Sequence, residues 1–510
     1  MRLLLVGLVL STSATLLSCS SPPSTSPPQC DEQANCGATT DPGPDPVTCV
    51  ADPAAGQPDD RCGVFVSSSF GSDGNGGTHR RPVRTMQRAL ALALQGPMRV
   101  YACAEVFVEE VALPAGVELW GGLDCTKGWG YLGDEKKTIL APEADGVPLR
   151  MESGDGKSLV ADVRAEAMDG TVPSSSSIAV IVMPGATTEI LRSQLVVGDG
   201  TPGAKGEDGG SGPAQAGTPG MPGGDACVAN VMPGAPEVQT VCGNFTSTGG
   251  QGGQGNISFG SNGMPGQPEP VPNPIGYGRG GIGENIQGCM GGGNGQVGQH
   301  GAHGSGAKGP GRITPLGWEG EKGQSGGDGL HGQGGGGGGG TGGGSIRCGY
   351  GINKAGASGG SGGGGGCGGK GGKGGGYGGA SIGLLSLGAE VSVRATTIIT
   401  GNGGNGGAGG LAQWGGAGGP GGPGGAHFDG AGPGCDGGPG GPGGHGGFGG
   451  GGRGGPSMGI AHLKGAPVVQ EDVRIQTGLP GKGGIGGGVE FSIDGTGDDG
   501  VAADVLPFPD

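Results

Sequence analysis

The stretch Ser177 to Gly198 reads SIAVIVMPGATTEILRSQLVVG, and its pattern returns twice, as SIGLLSLGAEVSVRATTIITG from Ser381 to Gly401 and SMGIAHLKGAPVVQEDVRIQTG from Ser457 to Gly478. Each copy opens on Ser with a short apolar run and turns at a Gly-Ala pair, Gly185-Ala186, Gly388-Ala389 or Gly465-Ala466. It then continues through an alternating, strand-like run and closes on Gly. Alternation with period two marks a strand with one buried face. A unit of about 20 residues with two short strands and a turn cannot bury its own apolar side and has to stack on a neighbour. The repeat therefore predicts a mainly β solenoid, with one coil at 381–401 and the last coil and an acidic C-terminus at 457–510. The glycine-rich tracts at 199–380 and 402–456 read as insertions between coils.

Composition limits the rest. Gly (140) and Pro (39) make up about a third of the 510 residues and aromatics only 4%, a bias associated with low complexity. A net charge of −16 disfavours nucleic acid, whose binding needs clustered Lys and Arg facing phosphate. The same acidity keeps copies of a glycine-rich chain apart and in solution.

At the N-terminus, Arg2, the apolar run Leu3 to Leu10 and the small residues before Cys19 describe an export signal over 1–18, too short to span a membrane. The ending Leu16-Leu17-Ser18-Cys19 resembles the lipobox of bacterial lipoproteins. The resemblance implies cleavage before Cys19 and acylation of its thiol, so the protein is expected to reach the membrane through a lipid anchor. Ser20, where an inner-membrane retention signal usually has Asp, implies the outer membrane or cell surface of a Gram-negative bacterium. Residues 19–61, rich in Ser, Pro, Thr and Asp, read as a solvated tether. Removing Cys19 from the 13 cysteines leaves an even number in an exported chain, which favours disulfides over metal or catalysis. Their connectivity is open.

The segment 62–198 holds an N-terminal cap and the first coils. Val64-Phe65-Val66 predicts a strand, GSDGNGGTHRRP a loop, and Val83, Met86, Ala89, Leu90, Ala93 and Leu94 an amphipathic helix stopped at Gly96-Pro97. Short alternating runs follow at Arg99 to Cys103, Val106 to Leu113 and Val117 to Trp120. This order, from Val64 to Gly122, resembles the opening of right-handed parallel β-helix proteins of the pectin-lyase-like class. The resemblance implies that the helix caps the open end of the solenoid. Cys103 and Cys125 flank neighbouring strands and are candidates for a bridge.

The tracts differ from one another. The first begins with a short collagen-like piece at Gly200 to Gly209 whose period breaks before Gly217, which does not meet the long uninterrupted repeat of a triple helix. In the second, Asn402, Asn405, Ala408, Leu411, Trp414, Ala417, Pro420 and Pro423 step by three, and the step resumes at Pro439, Pro442, His445 and Phe448. Three residues per turn is the repeat of polyproline II, which puts one side chain per turn on a single ridge and leaves two bare glycine faces. The pattern resembles the polyglycine-II bundles of some glycine-rich antifreeze and phage adhesin proteins, and the composition resembles that of PGRS-type bacterial surface proteins. Two states stay open: an ordered bundle, and a disordered brush favoured by the entropy that glycine loses on ordering. Cys227, Cys242, Cys289, Cys348, Cys367 and Cys435 could restrain the tracts as disulfides.

No catalytic constellation, cofactor motif or metal-ligand spacing stands out. Asp162 with Glu166, Glu471 with Asp472, and Arg192 or Arg394 are the residues a β-helix polysaccharide lyase or hydrolase would draw on. The two arginines, at similar repeat positions, read as solvated outer-face residues. His300 with His303 is a weak metal pattern, and the acidic tail from Ile493 to Gly500 lacks calcium-loop spacing. Trp318 and Trp414 are the expected exposed aromatic contacts. Three functions follow: a surface structural or adhesive lipoprotein binding a polysaccharide or another surface protein, a polysaccharide-cleaving enzyme on the same scaffold, or a passive hydrated layer.

Overall fold

The computed structural model describes residues 49–133, 135–284, 288–488 and 495–509. The expected signal, Cys19 and the tether up to residue 48 lie outside the described residues. Among the described residues no helix is long and apolar enough to cross a membrane.

The chain opens with β1 (Val64–Val66), α1 (Met86–Ala93) and β2 (Arg99–Cys103), then β3 (Val106–Phe107), β4 (Val111–Leu113), β5 (Glu118–Asp124) and β6 (Gly130–Tyr131). Next come β7 (Thr138–Leu140), β8 (Leu149–Met151), β9 (Lys157–Ala161) and β10 (Val163–Ala167). The first repeat is β11 (Ser177–Val182), β12 (Thr187–Leu191) and β13 (Gln194–Val197). Two hairpins, β14 (Val238–Cys242) with β15 (Phe245–Gly249) and β16 (Arg312–Thr314) with β17 (Gly317–Glu319), lie within the first tract. The second repeat is β18 (Ser381–Leu387), β19 (Glu390–Arg394) and β20 (Thr397–Ile399). The third is β21 (Ser457–Leu463), β22 (Val468–Val469) and β23 (Arg474–Gln476), and β24 (Ala502–Pro507) ends the chain.

Three sheets run through this order: β1-β2-β5-β9-β12-β19-β22, with β6 beside β5; β3-β7-β10-β13-β20-β23; and β4-β8-β11-β18-β21-β24. Neighbours along each path are parallel, and from β3 onward the chain visits second, third and first sheet in turn. The repeats stack in register, Ser177 on Ser381 on Ser457 and Ile178 on Ile382 on Met458. Apolar residues from all three sheets, among them Val180, Ile190, Leu195, Leu384, Val393 and Ile398, form one core. Helix α1 is capped by Thr85, whose side chain accepts from the Arg88 N–H, and buries Met86, Ala89, Leu90 and Ala93 in that core.

Each repeat holds three strands where the sequence predicts two. The alternating run breaks at Arg192, φ 45°, and at Ala395, φ 46°, and Asp162, φ 57°, holds the equivalent place between β9 and β10. A left-handed residue turns the chain from one sheet to the next without Gly or Pro. The corner is held by hydroxyls: Ser193 Oγ donates to Leu191 O and Thr396 Oγ1 to Arg394 O.

The tethering segment also ends earlier than expected. Residues 49–61 pack on the first sheet: Cys49 is bonded to Cys62, Tyr101 Oη donates to Ala51 O, and Arg192 pairs with Asp52. They cover an aromatic cluster of Phe65, Tyr101, Trp120 and Trp129, so they trade solvation for apolar contact.

All long insertions leave from the second sheet and return to the third, between β13 and β18, β20 and β21, and β23 and β24. The last of these is a third glycine-rich insertion, inside the segment 457–510 that the sequence marks as the last coil and an acidic C-terminus. The serine opening each repeat ties the corner, Ser381 Oγ donating to Gly198 O and Ser457 Oγ to Gly401 O.

The tracts are an ordered bundle. In its middle, the N–H groups of Gly335, Gly336 and Gly337 donate to Gly363, Gly293 and Met264, and their carbonyls accept from Gly250, Gly438 and Gly281. Three residues on, Gly338, Gly339 and Gly340 donate to Gly360, Met290 and Ser261. One run is thus surrounded by six others, each residue turning to a new pair of neighbours and every third returning to the same one. A Cβ on Gly335, Gly336 or Gly337 would lie 2.0 Å from a neighbouring carbonyl oxygen. Glycine is required there because backbone touches backbone on all sides. The complete ladder supplies the hydrogen bonds that offset glycine's entropy.

Candidate functional site

Side chains can leave the bundle only where a run faces outward, and the three-residue step then repeats them along a ridge. Three neighbouring runs place Leu411 and Trp414, His445 and Phe448, and His300 and His303 around one groove of about 580 Å³, with Gly487 and Gly488 on its wall. The runs are locked in register by backbone: Gly446 donates to Gln413 O, Gly301 to His445 O and Gly304 to Phe448 O. His300 stacks on His445 with ring centres 4.8 Å apart, and His303 on Phe448 at 5.3 Å. Trp414 meets His445 edge to face at 4.5 Å and is 64% exposed.

The imidazoles have a set orientation. His300 Nδ1 accepts the His445 N–H at 2.9 Å, His303 Nδ1 the Phe448 N–H at 3.0 Å, and His445 Nδ1 the Gly415 N–H at 3.0 Å. A neutral ring whose Nδ1 accepts carries its proton on Nε2. Burial, and then repulsion by His300, hold the His445 pKa below its ordinary value, which keeps the ring neutral. The groove therefore combines aromatic surface with ring N–H donors. No Asp, Glu, Lys or Arg lines it among the described residues. The protonated Nε2 atoms also speak against the metal pattern suggested by His300 and His303, since a ligating imidazole nitrogen must be unprotonated.

The chain matches no protein-family model, no curated protein and no solved structure. Any account of its function therefore rests on its own residues.

The other expected site residues lie elsewhere. Trp318 is buried rather than exposed, at 3% of its surface: the β16–β17 hairpin lays it over the outer face of the third sheet with Ile178, Ile382, Leu385 and Met458, edge-on to Tyr377. Its role is packing, because that sheet face is apolar on both sides. Cys103 and Cys125 are bonded, with Cα atoms 5.7 Å apart. Among the described residues they form, with Glu105, the trio of metal-ligating atoms closest together, but the two sulfurs are taken by the disulfide.

Asp162, Glu166, Arg192 and Arg394 are engaged in ion pairs. Asp162, fully buried, accepts from Tyr131 Oη, Lys137 Nζ and Arg192 Nη2 at 3.0, 2.8 and 2.8 Å. Arg192, expected to be solvated, also holds Asp52 and lies 5.9 Å from the Trp120 ring centre. Burial and then the Asp162 carboxylate push the Tyr131 pKa up to about 12. Glu166 pairs with Arg164, and Arg394 pairs with Glu189 while staying exposed to solvent. Glu471 and Asp472 are exposed. Asp162→Asn keeps a side chain tolerated at positive φ and removes only the charge on which Lys137 and Arg192 converge, so it is expected to cost about 1.5–3 kcal/mol, Arg192 keeping its pair with Asp52. A chemical denaturation curve on the variant reads this directly.

Sequence reasoning missed that His300, His303, His445 and Phe448 belong with Trp414. The signal was available in part, because both histidines and the His445–Phe448 pair keep the three-residue step. Which ridges become neighbours depends on how distant runs pack.

Proposed function

We propose that the protein is an exported surface lipoprotein, anchored through Cys19 at the outer membrane or cell surface, in which a right-handed parallel β-helix presents a polyglycine-II-type bundle and the aromatic groove binds a neutral polysaccharide chain. The observation that carries this reading is the groove around Trp414, which unites aromatic faces and ring N–H donors on a rigid frame and has no charged lining. Sugars present alternating apolar faces and acceptor oxygens, which such a lining complements. The net charge of −16 favours a neutral over an anionic polymer. The frame supports the adhesive role, since rings held by backbone ladders lose little freedom on binding.

The alternative of a polysaccharide-cleaving enzyme on this scaffold has less support, because Asp162 is enclosed by its own counter-ions and Glu166 is paired with Arg164. A passive hydrated layer would need no aromatic groove. Pull-down of the full-length protein on insoluble neutral glycans (cellulose, xylan, curdlan and mannan) is expected to retain the wild type, and Trp414→Ala is expected to weaken retention at least tenfold. Retention indifferent to that substitution would sink the reading.

A further inference from the structure

Beside the Trp414 groove lies a second cavity of about 380 Å³, and Gln413 lines both. Its aromatic element is Phe245, 59% exposed, stacked on His331 with ring centres 5.1 Å apart and planes 26° from parallel. Leu330 and His331 in turn line a third cavity of about 540 Å³ with Gln296, Gln299 and Pro270.

The second platform is as firmly built as the first. His331 sits in a run whose flanking residues are held by Leu330 N–H to Gln299 O and Gly332 N–H to Gly366 O. Phe245 rides on the β14–β15 hairpin, which the Cys242–Cys367 disulfide fastens to the bundle. The charges near it are neutralised: Lys370 Nζ pairs with Asp328 at 2.7 Å, and Asp328 also accepts the Gly371 N–H. Gln413 at the junction is fixed by Nε2 donating to Gly212 O and Oε1 accepting from Lys370 N. Burial holds the His331 pKa below its ordinary value, so this ring too is neutral.

Resting on the glycan reading above, we propose that Phe245 and His331 form a second subsite for the same chain, so that the ligand is an extended neutral glycan spanning both platforms rather than a chain end or a monosaccharide. Two sites linked through one ligand gain affinity from effective concentration, but only for a ligand long enough to bridge them.

The test is calorimetric titration of the full-length protein with cello-, xylo-, laminari- and manno-oligosaccharides of two to eight units. Affinity for the best series is expected to rise at least tenfold between the shortest and longest members. Phe245→Ala is expected to abolish that gain while leaving the short members unchanged, and Trp414→Ala to weaken both. Phe245 is exposed on a hairpin, and His331→Ala, which removes the other half of the platform from a different run, is expected to give the same result. Long-chain affinity that survives both Phe245→Ala and His331→Ala, but falls with Trp414→Ala, overturns the second subsite and leaves the first. Binding indifferent to Trp414→Ala, or none to any series, overturns the glycan reading and this inference together.

Discussion

Gly337→Val is expected to unfold the glycine bundle. A Cβ at this position would lie 2.0 Å from Gln251 O and 2.4 Å from its carbonyl carbon, and both atoms are backbone of a neighbouring run. Backbone cannot swing aside as a side chain can, so the neighbouring run would have to shift. The shift breaks the bonds that this run makes to the central one, from Gly250 N–H to Gly335 O and from Gly253 N–H to Gly338 O. Overpacking of a close-packed interior costs about 1–3 kcal/mol, and lost backbone hydrogen bonds add to it, so the total is expected at about 3 kcal/mol or more. The control is Gly212→Ala, where a Cβ would meet nothing within 4 Å. That change is expected to be neutral or slightly stabilising, because it reduces the freedom of the unfolded chain. Amide exchange across residues 332–341 distinguishes the two: slow in the wild type and in Gly212→Ala, fast in Gly337→Val. Equal protection in all three would mean that the close packing around Gly337 contributes nothing to order.

Breaking the bundle disulfides should have an effect of similar size by a different route. Cys227–Cys348, Cys242–Cys367 and Cys289–Cys435 span 121, 125 and 146 residues, whereas Cys49–Cys62 spans 13. Each bridge restricts the unfolded chain, and the restriction grows with the logarithm of the loop closed. Glycine makes it matter more, since these tracts have the most freedom to lose. On the chain-entropy relation, Cys289→Ser with Cys435→Ser is expected to destabilise by about 5 kcal/mol, and Cys49→Ser with Cys62→Ser by about 3 kcal/mol. Denaturant midpoints of the two double variants test the order. A larger loss from the short loop would show that native contacts around each bridge, rather than chain entropy, set its value.

These two expectations explain why the tracts are ordered at all. Glycine-rich sequence lacks the apolar side chains that organise most interiors. Here nearly every N–H in the central runs meets a carbonyl of another run, and three long-range bridges shrink the unfolded ensemble. The sheets help as well, because all three insertions start and end at one corner, with Ser381 and Ser457 pinning the departing chain.

The sequence by itself determined what depends on local periodicity. The Ser-led repeats at 177, 381 and 457 stack in register, the helix Met86–Ala93 buries Met86, Ala89, Leu90 and Ala93 of the face its spacing marked while Leu94 is exposed, and the three-residue step of 402–425 is the step of the ladder. A period of two, of 3.6 or of three states which side of a segment is bare or apolar, and that much is written in neighbouring residues. Tertiary structure decided what depends on which distant segments meet. The corner at Arg192 was not legible because its left-handed turn carries no Gly or Pro, only the Ser193 hydroxyl that holds the turn between β12 and β13. Trp318 and Trp414 are both tryptophans in glycine-rich surroundings, yet one covers an apolar sheet face and the other stands on an outer ridge. His300, Trp414 and His445 become one groove only because their runs pack side by side. A run with six possible neighbours has a known period and an unknown partner, and partner choice is set by the closure of the whole bundle.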